Sequence, residues 1–204
     1  MKSIGTDGMK EAFLLFLKDQ LTLSEKEKQA ILEIPLFRTF PKGTILFHQG
    51  DFTKEYYFVI QGGIRTYLLV DGNDITTAFY TENEALIPLS TAIKEPSQCY
   101  AVCFEDSIVV VSSEDVEQEV FRHIPEFESV CRKFSEKLLA RNLHSSVMSR
   151  TLTPEQRYLQ LVKERPGLIQ RIPQYHLASY LGIRPESLSR IRKRLAQKKI
   201  SRRS

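Results

Sequence analysis

The sequence predicts an α+β chain in three parts. N-terminal helices and a jelly-roll β-barrel occupy residues 1–113, a linker and long dimerisation helix residues 114–149, and a helix-turn-helix residues 150–204. Three observations predict this order. Glycine turns punctuate residues 37–113 about every ten residues, apolar residues after Pro125 recur at steps of three and four, and residues 174–193 have helix-turn-helix spacing.

The first segment, residues 7–34, has the apolar spacing of helices. Ser24 with Glu27 three residues later is a capping-box signature, so a second helix is predicted to begin there. Pro35 ends it because proline cannot continue a helix interior.

The glycine-punctuated segment predicts about eight strands, which suits a jelly roll. Asp71-Gly72 lies between two strand-like runs, at 64–70 and 75–80, and predicts a β-hairpin. Residues 100–103 and 108–111 supply closing strands. The aromatic residues of this region fit either a filled core or a ligand pocket, and the sequence leaves both open.

The helix after Pro125 carries a heptad-like apolar stripe. One interpretation is an amphipathic helix packed on the barrel. The interpretation we favour is a dimer helix, because a helix-turn-helix works best in pairs. The predicted seam consists of Phe127, Val130, Cys131, Phe134, Leu138 and Arg141.

The C-terminal pattern places small or special residues where two helices meet. Ala178 allows close contact, and Gly182 supplies a turn that needs positive φ or lacks room for a Cβ. Pro185 stands where a second helix begins, a position that proline tolerates well. Apolar residues that would lock the pair are Leu177, Leu181, Ile183, Leu188 and Ile191.

Charge is divided unequally along the chain. Of 29 Lys and Arg and 25 Asp and Glu, residues 150–204 contain fourteen and three respectively, so the preceding residues carry an acidic excess. A basic block on a helical scaffold attracts polyanions such as double-stranded DNA. A solvated lysine-rich tail is the simpler alternative.

Other classes of function find little support. The three cysteines form no CxxC pair, which argues against disulfide, zinc and iron–sulfur frameworks. No apolar run approaches the ~20 residues of a membrane span, and no secretory signal is recognisable, so we expect a cytoplasmic protein. No catalytic motif is evident, so we do not expect an enzyme.

Two stretches, residues 42–62 and the helix-turn-helix, resemble the Crp/Fnr family of transcription regulators, and the resemblance extends over nearly the whole chain. It implies a β-roll of cyclic-nucleotide-binding type and a homodimer that reads palindromic DNA. RNA polymerase is then an expected partner if the protein activates transcription. Relatives usually add a β-hairpin wing after the second helix, which we expect to be short or absent here.

The resemblance also shows departures. Cyclic-nucleotide-binding relatives carry Gly-Glu-Leu and Arg-Ser where this chain has Ile87-Pro88-Leu89 and Pro96-Ser97. Proline can neither accept a hydrogen bond from a ribose hydroxyl nor pair with a phosphate, so we expect a degenerate nucleotide site that does not bind cyclic AMP.

Other cofactors of the family are not expected either. The N-terminal cysteines of iron–sulfur relatives are missing, and the lone His48 of the roll is more simply structural than a haem ligand. No cofactor is therefore expected, although an unknown small effector stays open.

The second helix carries the residues that family members use on bases, and its Glu-Ser-Leu-Ser-Arg order implies a TTGA-type half-site. Arg190 can bond guanine bidentately, and Glu186 can accept from cytosine. The base-reading set is Glu186, Ser187, Ser189 and Arg190, and the phosphate set is Gln174, His176, Arg184, Lys193, Arg194 and Lys198. The alternative is a ligand-binding or protein-interaction β-roll whose basic C-terminus is not a specific DNA reader.

Overall fold

A computed structural model describes the backbone of residues 6–201 and the side chains of residues 8–197. Two helices come first, α1 (Thr6–Lys18) and α2 (Glu25–Glu33). The predicted capping box is confirmed. The Glu27 amide donates to the Ser24 hydroxyl at 3.4 Å, and the Ser24 amide donates to the Glu27 carboxylate at 2.7 Å.

Eight strands follow in the described chain, with one short helix, α3 (Leu89–Ile93), between the sixth and the seventh. They are β1 (Phe37–Phe40), β2 (Ile45–Phe47), β3 (Glu55–Gln61), β4 (Ile64–Val70), β5 (Asn73–Tyr80), β6 (Ala85–Leu86), β7 (Tyr100–Cys103) and β8 (Ser107–Ser113). They form two four-stranded sheets, ordered β1-β8-β3-β6 and β2-β7-β4-β5. The predicted β-roll is confirmed.

The turn between β4 and β5 has the predicted chemistry. Asp71 and Gly72 have φ values of 51° and 78°. Positive φ at both central residues defines the type I′ turn, whose twist matches that of paired strands.

The sheet β1-β8-β3-β6 has apolar residues on both faces. Tyr57 and Val59 of β3 belong to one core cluster, together with Val109 and Val111 of β8. The alternate residues Phe58 and Val110 belong to a second cluster. Strand residues alternate between faces, so the first cluster fills the roll interior and the second covers the outer face against α1 and α2.

The interior of the roll is filled by side chains that are at most 5% exposed. This placement favours the filled core over the ligand pocket that the sequence also allowed. The members of this cluster are Phe47, Tyr57, Val59, Ile64, Leu86, Ala101, Cys103, Val109 and Val111.

Two helices follow the roll, α4 (Glu114–His123) and α5 (Glu126–Thr151). The stripe predicted to form a dimer seam lies in the first part of α5 and faces its own chain. The Phe134 ring lies 5.3 Å from Phe16 and 5.8 Å from Phe58, both at steep angles. Val130 is only 3% exposed.

The end of this stripe is also engaged within the chain. Arg141 donates to the Glu84 carboxylate and lies over the Tyr80 ring. These side chains therefore make contacts within their own chain while most of them stay half-buried, and their part in a dimer seam stays a prediction. The contacting members are Phe127, Val130, Cys131, Phe134, Leu138 and Arg141.

The C-terminal helices are α6 (Pro154–Glu164), α7 (Pro166–Arg171), α8 (Gln174–Tyr180) and α9 (Pro185–Ser201). A capping box at Thr153 begins α6. Pro166 is the first residue of the short helix α7. Proline is tolerated there because the backbone N–H that it lacks would have no partner within the helix. Helix α9 continues to the last described residue, so the predicted short or absent wing lies outside the described residues.

The chain divides into two compact units. The first contains residues 1–66 and 79–141. The second contains residues 142–204 and also residues 67–78, the outer part of the β4–β5 hairpin.

Candidate nucleic-acid interface

Helices α8 and α9 form a closely packed pair within the second unit. Leu177, Leu181 and Leu188 are at most 1% exposed, and Ala178 is fully buried where the helices meet. The packing of these apolar side chains fixes how α9 stands on α8, which a reading helix requires.

The turn between the two helices depends on Gly182. Its φ is +65°, and a Cβ built there would meet no atom within 4 Å. Of the two reasons that the sequence allowed, positive φ is therefore the one that holds. The Gly182 amide donates to the Ser179 carbonyl at 2.9 Å, and the Ile183 amide to the Ala178 carbonyl at 3.0 Å.

The side chains predicted to read bases lie on the solvent side of the first turns of α9. Glu186, Ser189 and Arg190 are exposed, and Ser187 is half-buried. The Arg190 Nε donates to the Glu186 carbonyl oxygen at 3.4 Å. Arg190 thus contacts the backbone of Glu186, four residues earlier, as its nearest described partner.

The residues predicted to contact phosphates differ in their exposure to solvent and in their contacts within the protein. Arg184 and Lys193 are exposed. Gln174 donates to the Pro185 carbonyl at 3.4 Å, which ties the start of α8 to the start of α9. The His176 ring lies 4.0 Å from that of Tyr175.

Arg194 is engaged within the protein, since its guanidinium pairs with the Glu155 carboxylate of α6. This ion pair was not foreseen, because its partners are distant in sequence. It joins α9 to its supporting helix. The side chain of Lys198 lies outside the described residues.

The outer part of the β4–β5 hairpin contacts α8 inside the second unit. The Ser179 hydroxyl accepts from the Thr76 amide at 2.9 Å and donates to the Asp74 carbonyl at 3.1 Å. No sequence signal indicates this contact, since a serine in a helix has many uses. The two hydrogen bonds hold the β4–β5 hairpin beside α8, the first helix of the helix-turn-helix.

The segment around Ile87-Pro88-Leu89, which departs from the nucleotide-binding pattern, forms hydrogen bonds within the protein. Pro88 is the residue before α3, and Leu89 is the first residue of that helix. The Thr91 hydroxyl donates to the carbonyls of Thr53 and Glu55, at 3.0 and 3.2 Å. These bonds tie α3 to the start of β3.

The second half of that pattern is similarly occupied. Pro96 is exposed, whereas Ser97 is 3% exposed and donates to the Cys99 carbonyl at 2.9 Å. The Ser97 amide donates to the Asp51 carbonyl at 2.9 Å. Ile87 lies on the opposite side of this segment, in the wall of an apolar cavity.

The histidine of the roll and two of the cysteines were considered above as possible cofactor or redox residues. The His48 Nδ1 lies 3.3 Å from the Asp51 carboxylate. Burial raises the pKa of the Cys103 thiol to about 11 and that of the Cys131 thiol to about 12. Both thiols are therefore protonated and unreactive at neutral pH.

Two general searches of the described residues gave negative results. No group of three or more histidine, cysteine or acidic residues could hold a metal ion there. None of the described helices combines the length and apolar character that crossing a bilayer requires.

Comparison with known proteins agrees with this architecture. Residues 37–123 match the family model of the cyclic nucleotide-binding domain. None of the curated proteins matches the chain in sequence.

Solved structures match over most of the chain. FixK2 from Bradyrhizobium japonicum is 17% identical, with a TM-score of 0.67 over 80% of this chain and 85% of its own. The c-di-GMP-responsive global regulator CLP of Xanthomonas campestris is 18% identical, with a TM-score of 0.65 over 86% and 93%. A mutant of CooA from Carboxydothermus hydrogenoformans is 14% identical, with a TM-score of 0.65 over 79% and 76%.

A β-roll that matches the cyclic nucleotide-binding domain, followed by a long helix and a C-terminal helix-turn-helix, gives this chain the fold of the Crp/Fnr-family regulators.

Proposed function

We propose that this protein is a sequence-specific, DNA-binding transcription regulator of Crp/Fnr type. The observation that carries the proposal is the α8–α9 pair. Its apolar face is buried, and Glu186 and Arg190 point into solvent from the first turns of the second helix. A helix presented in this way fits the major groove of DNA.

Within this proposal, Glu186, Ser187, Ser189 and Arg190 contact bases, in half-sites of TTGA type. Arg184 and Lys193 contact phosphates, together with Gln174, His176 and Lys198. Arg194 is also proposed to contact a phosphate, in exchange for its exposed ion pair with Glu155, which is weak because water screens it.

We further propose a homodimer, since one head reads only a few base pairs and two would reach half-sites ~34–36 Å apart. The partner surface is the exposed apolar face of α5. Leu139 and Leu143 are each 60% exposed, and Val147 is 53% exposed. These residues lie four positions apart, on one side of the helix.

We expect that cyclic AMP is not the effector, because Pro88 and Pro96 replace the groups that would hold it. A structural neighbour, CLP, is described as responsive to c-di-GMP. RNA polymerase is a partner if the protein activates transcription.

The direct test selects duplexes from a randomised pool and then measures affinity for the selected site by mobility shift at two salt concentrations. Arg190→Ala should cost about 1–3 kcal/mol on that site and relax the preference at one base pair. Lys193→Ala should weaken selected and unrelated duplexes alike and reduce the salt dependence by about one ion.

The matched control is Lys26→Ala, which removes the same charge from an exposed position on α2. It should leave DNA affinity unchanged. If the pool yields no preferred sequence, or Arg190→Ala binds as the wild type does, the protein is not a sequence reader. The β-roll would then be the functional part, acting on a ligand or a protein partner.

A further inference from the structure

An apolar cavity of about 350 Å³ lies in the first unit, outside the roll. Its walls come from α1, α2, α4, α5 and the outer face of β3 and β8. Aromatic rings dominate them, including Phe16, Phe58 and Phe134. This volume falls within the ~300–1,000 Å³ that is usual for small-molecule sites.

The cavity is separate from the filled roll interior, as strand alternation shows. Tyr56, Phe58 and Ser112 line the cavity, whereas Val59 and Val111 belong to the interior cluster. Tyr57, between Tyr56 and Phe58 in β3, belongs to the interior cluster and also borders the cavity. A molecule in this cavity would therefore contact the back of the sheet, where it would meet Ile87 but neither Pro88 nor Pro96.

One end of the cavity is polar, where Tyr56, Glu117 and Cys131 meet. Burial, and after it the charge of Glu117, raises the pKa of the Tyr56 phenol and of the Cys131 thiol, so the three groups are close neighbours. The Glu117 carboxylate has no hydrogen-bond or ion-pair partner among the described side chains. Burial and then the charge of Glu114 raise its own pKa, because both disfavour the charged form of the carboxylate.

The charged groups around Glu117 favour a positively charged ligand over a negatively charged one. Glu114 acts on Glu117, and Glu117 and Glu128 both act on Cys131. Lys94 pairs with Glu114 at 3.4 Å, so these four charged groups together leave a net negative charge at this end. An anionic group would be repelled. A cation would pair with the carboxylate and would also be attracted to the ring faces, as Lys137 already is, 5.5 Å from the Phe134 centroid.

We propose that this cavity binds a small apolar molecule carrying one cationic amine. Its apolar body lies among Phe16, Phe58 and Phe134, and its amine pairs with Glu117. The site does not depend on DNA reading. If the protein is the regulator proposed above, the cavity is the place for its effector, because α5 leads from this wall toward the C-terminal unit along the chain.

The test uses three probes of equal shape, phenylbutylamine, phenylbutanol and phenylbutanoate, titrated calorimetrically into the full chain. The amine should bind most tightly and the carboxylate most weakly. Glu117→Gln keeps the shape of the side chain and should weaken the amine roughly tenfold or more while leaving phenylbutanol unchanged. Asp115→Asn is the matched control, because Asp115 is exposed on the same helix and does not line the cavity.

Ser112→Phe fills the cavity from the strand side and should abolish binding of all three probes, with circular dichroism confirming the fold. Equal affinities for the three probes, an amine affinity unchanged in Glu117→Gln, or no binding of any probe would overturn the proposal. Because no DNA is present, these outcomes are separate from those of the mobility-shift experiment. If the protein bound no DNA but still preferred the amine, only the proposal of a DNA-binding regulator would be refuted.

Discussion

Helices α5 and α9 are both amphipathic, yet they dispose of their apolar residues differently. In α9, Leu188 and Ile191 are buried, and the polar face is left in solvent. In α5, the apolar residues up to Leu138 lie against the roll, but Leu139, Leu143 and Val147 remain exposed. The chain buries the apolar residues of α9, whereas α5 keeps exposed apolar residues of the kind that often mark an interaction site.

The proposed functions of the two helices lie on faces of opposite character. In α9 the polar face is the one proposed to bind DNA, and the apolar face holds the helix in place. In α5 the exposed apolar face is the one proposed to bind a second copy of the chain, and the predicted seam residues pack within the first unit. Substitutions on each face should therefore have different consequences.

The largest contrast is expected between two aspartate substitutions in α5. Phe134→Asp removes an aromatic ring from the cluster around Phe16 and Phe58 and should lower the free energy of unfolding by about 4 kcal/mol. Leu143→Asp alters an exposed position and should change monomer stability by at most about 0.5 kcal/mol. Urea unfolding at low protein concentration measures both.

The same pair distinguishes the two faces in sedimentation. Leu143→Asp should convert a dimer into a folded monomer and should weaken binding to a two-half-site duplex. A Leu143→Asp protein that stayed dimeric would show that the interface lies elsewhere. If the Phe134→Asp variant became monomeric without any loss of stability, the dimer interface would instead be the seam predicted from the sequence.

The second prediction concerns the support of the reading helix. Leu188→Ala should destabilise the C-terminal unit by about 3 kcal/mol, since the side chain is fully buried and leaves a cavity. DNA affinity should fall with it, although Leu188 lies on the buried side of α9 and is not among the residues proposed to contact DNA. Leu159→Ala is the matched control, because Leu159 is 44% exposed on α6. If both variants unfold alike in urea, the head is not held by the α8–α9 core.

The smallest effect is expected at the contact between the hairpin and α8. Ser179→Ala removes a bond donated to the Asp74 carbonyl and one accepted from the Thr76 amide, at a cost of about 1 kcal/mol. Hydrogen exchange at the Thr76 amide should quicken about fivefold. Ser145→Ala, at an exposed position of α5, should leave that exchange rate unchanged. An unchanged rate in Ser179→Ala would mean that the contact does not protect the hairpin.

Local features were predictable because each depends on a few neighbouring residues. The capping box at Ser24, the Asp71-Gly72 turn and the start of α9 at Pro185 are all confirmed. The segment at Pro88 is different, since the sequence showed which groups were missing but not that Thr91 ties α3 to β3.

The sequence by itself determined the order of elements, the basic C-terminal block and the helix that exposes Glu186 and Arg190. These follow from periodicity, caps and turn residues, whose energetics are local. Tertiary structure alone decided that Phe134 faces the roll, that Arg194 pairs with Glu155, and that a cavity ends at Glu117. Each of these joins residues far apart in the chain, and an apolar periodicity marks a buried face without stating what buries it.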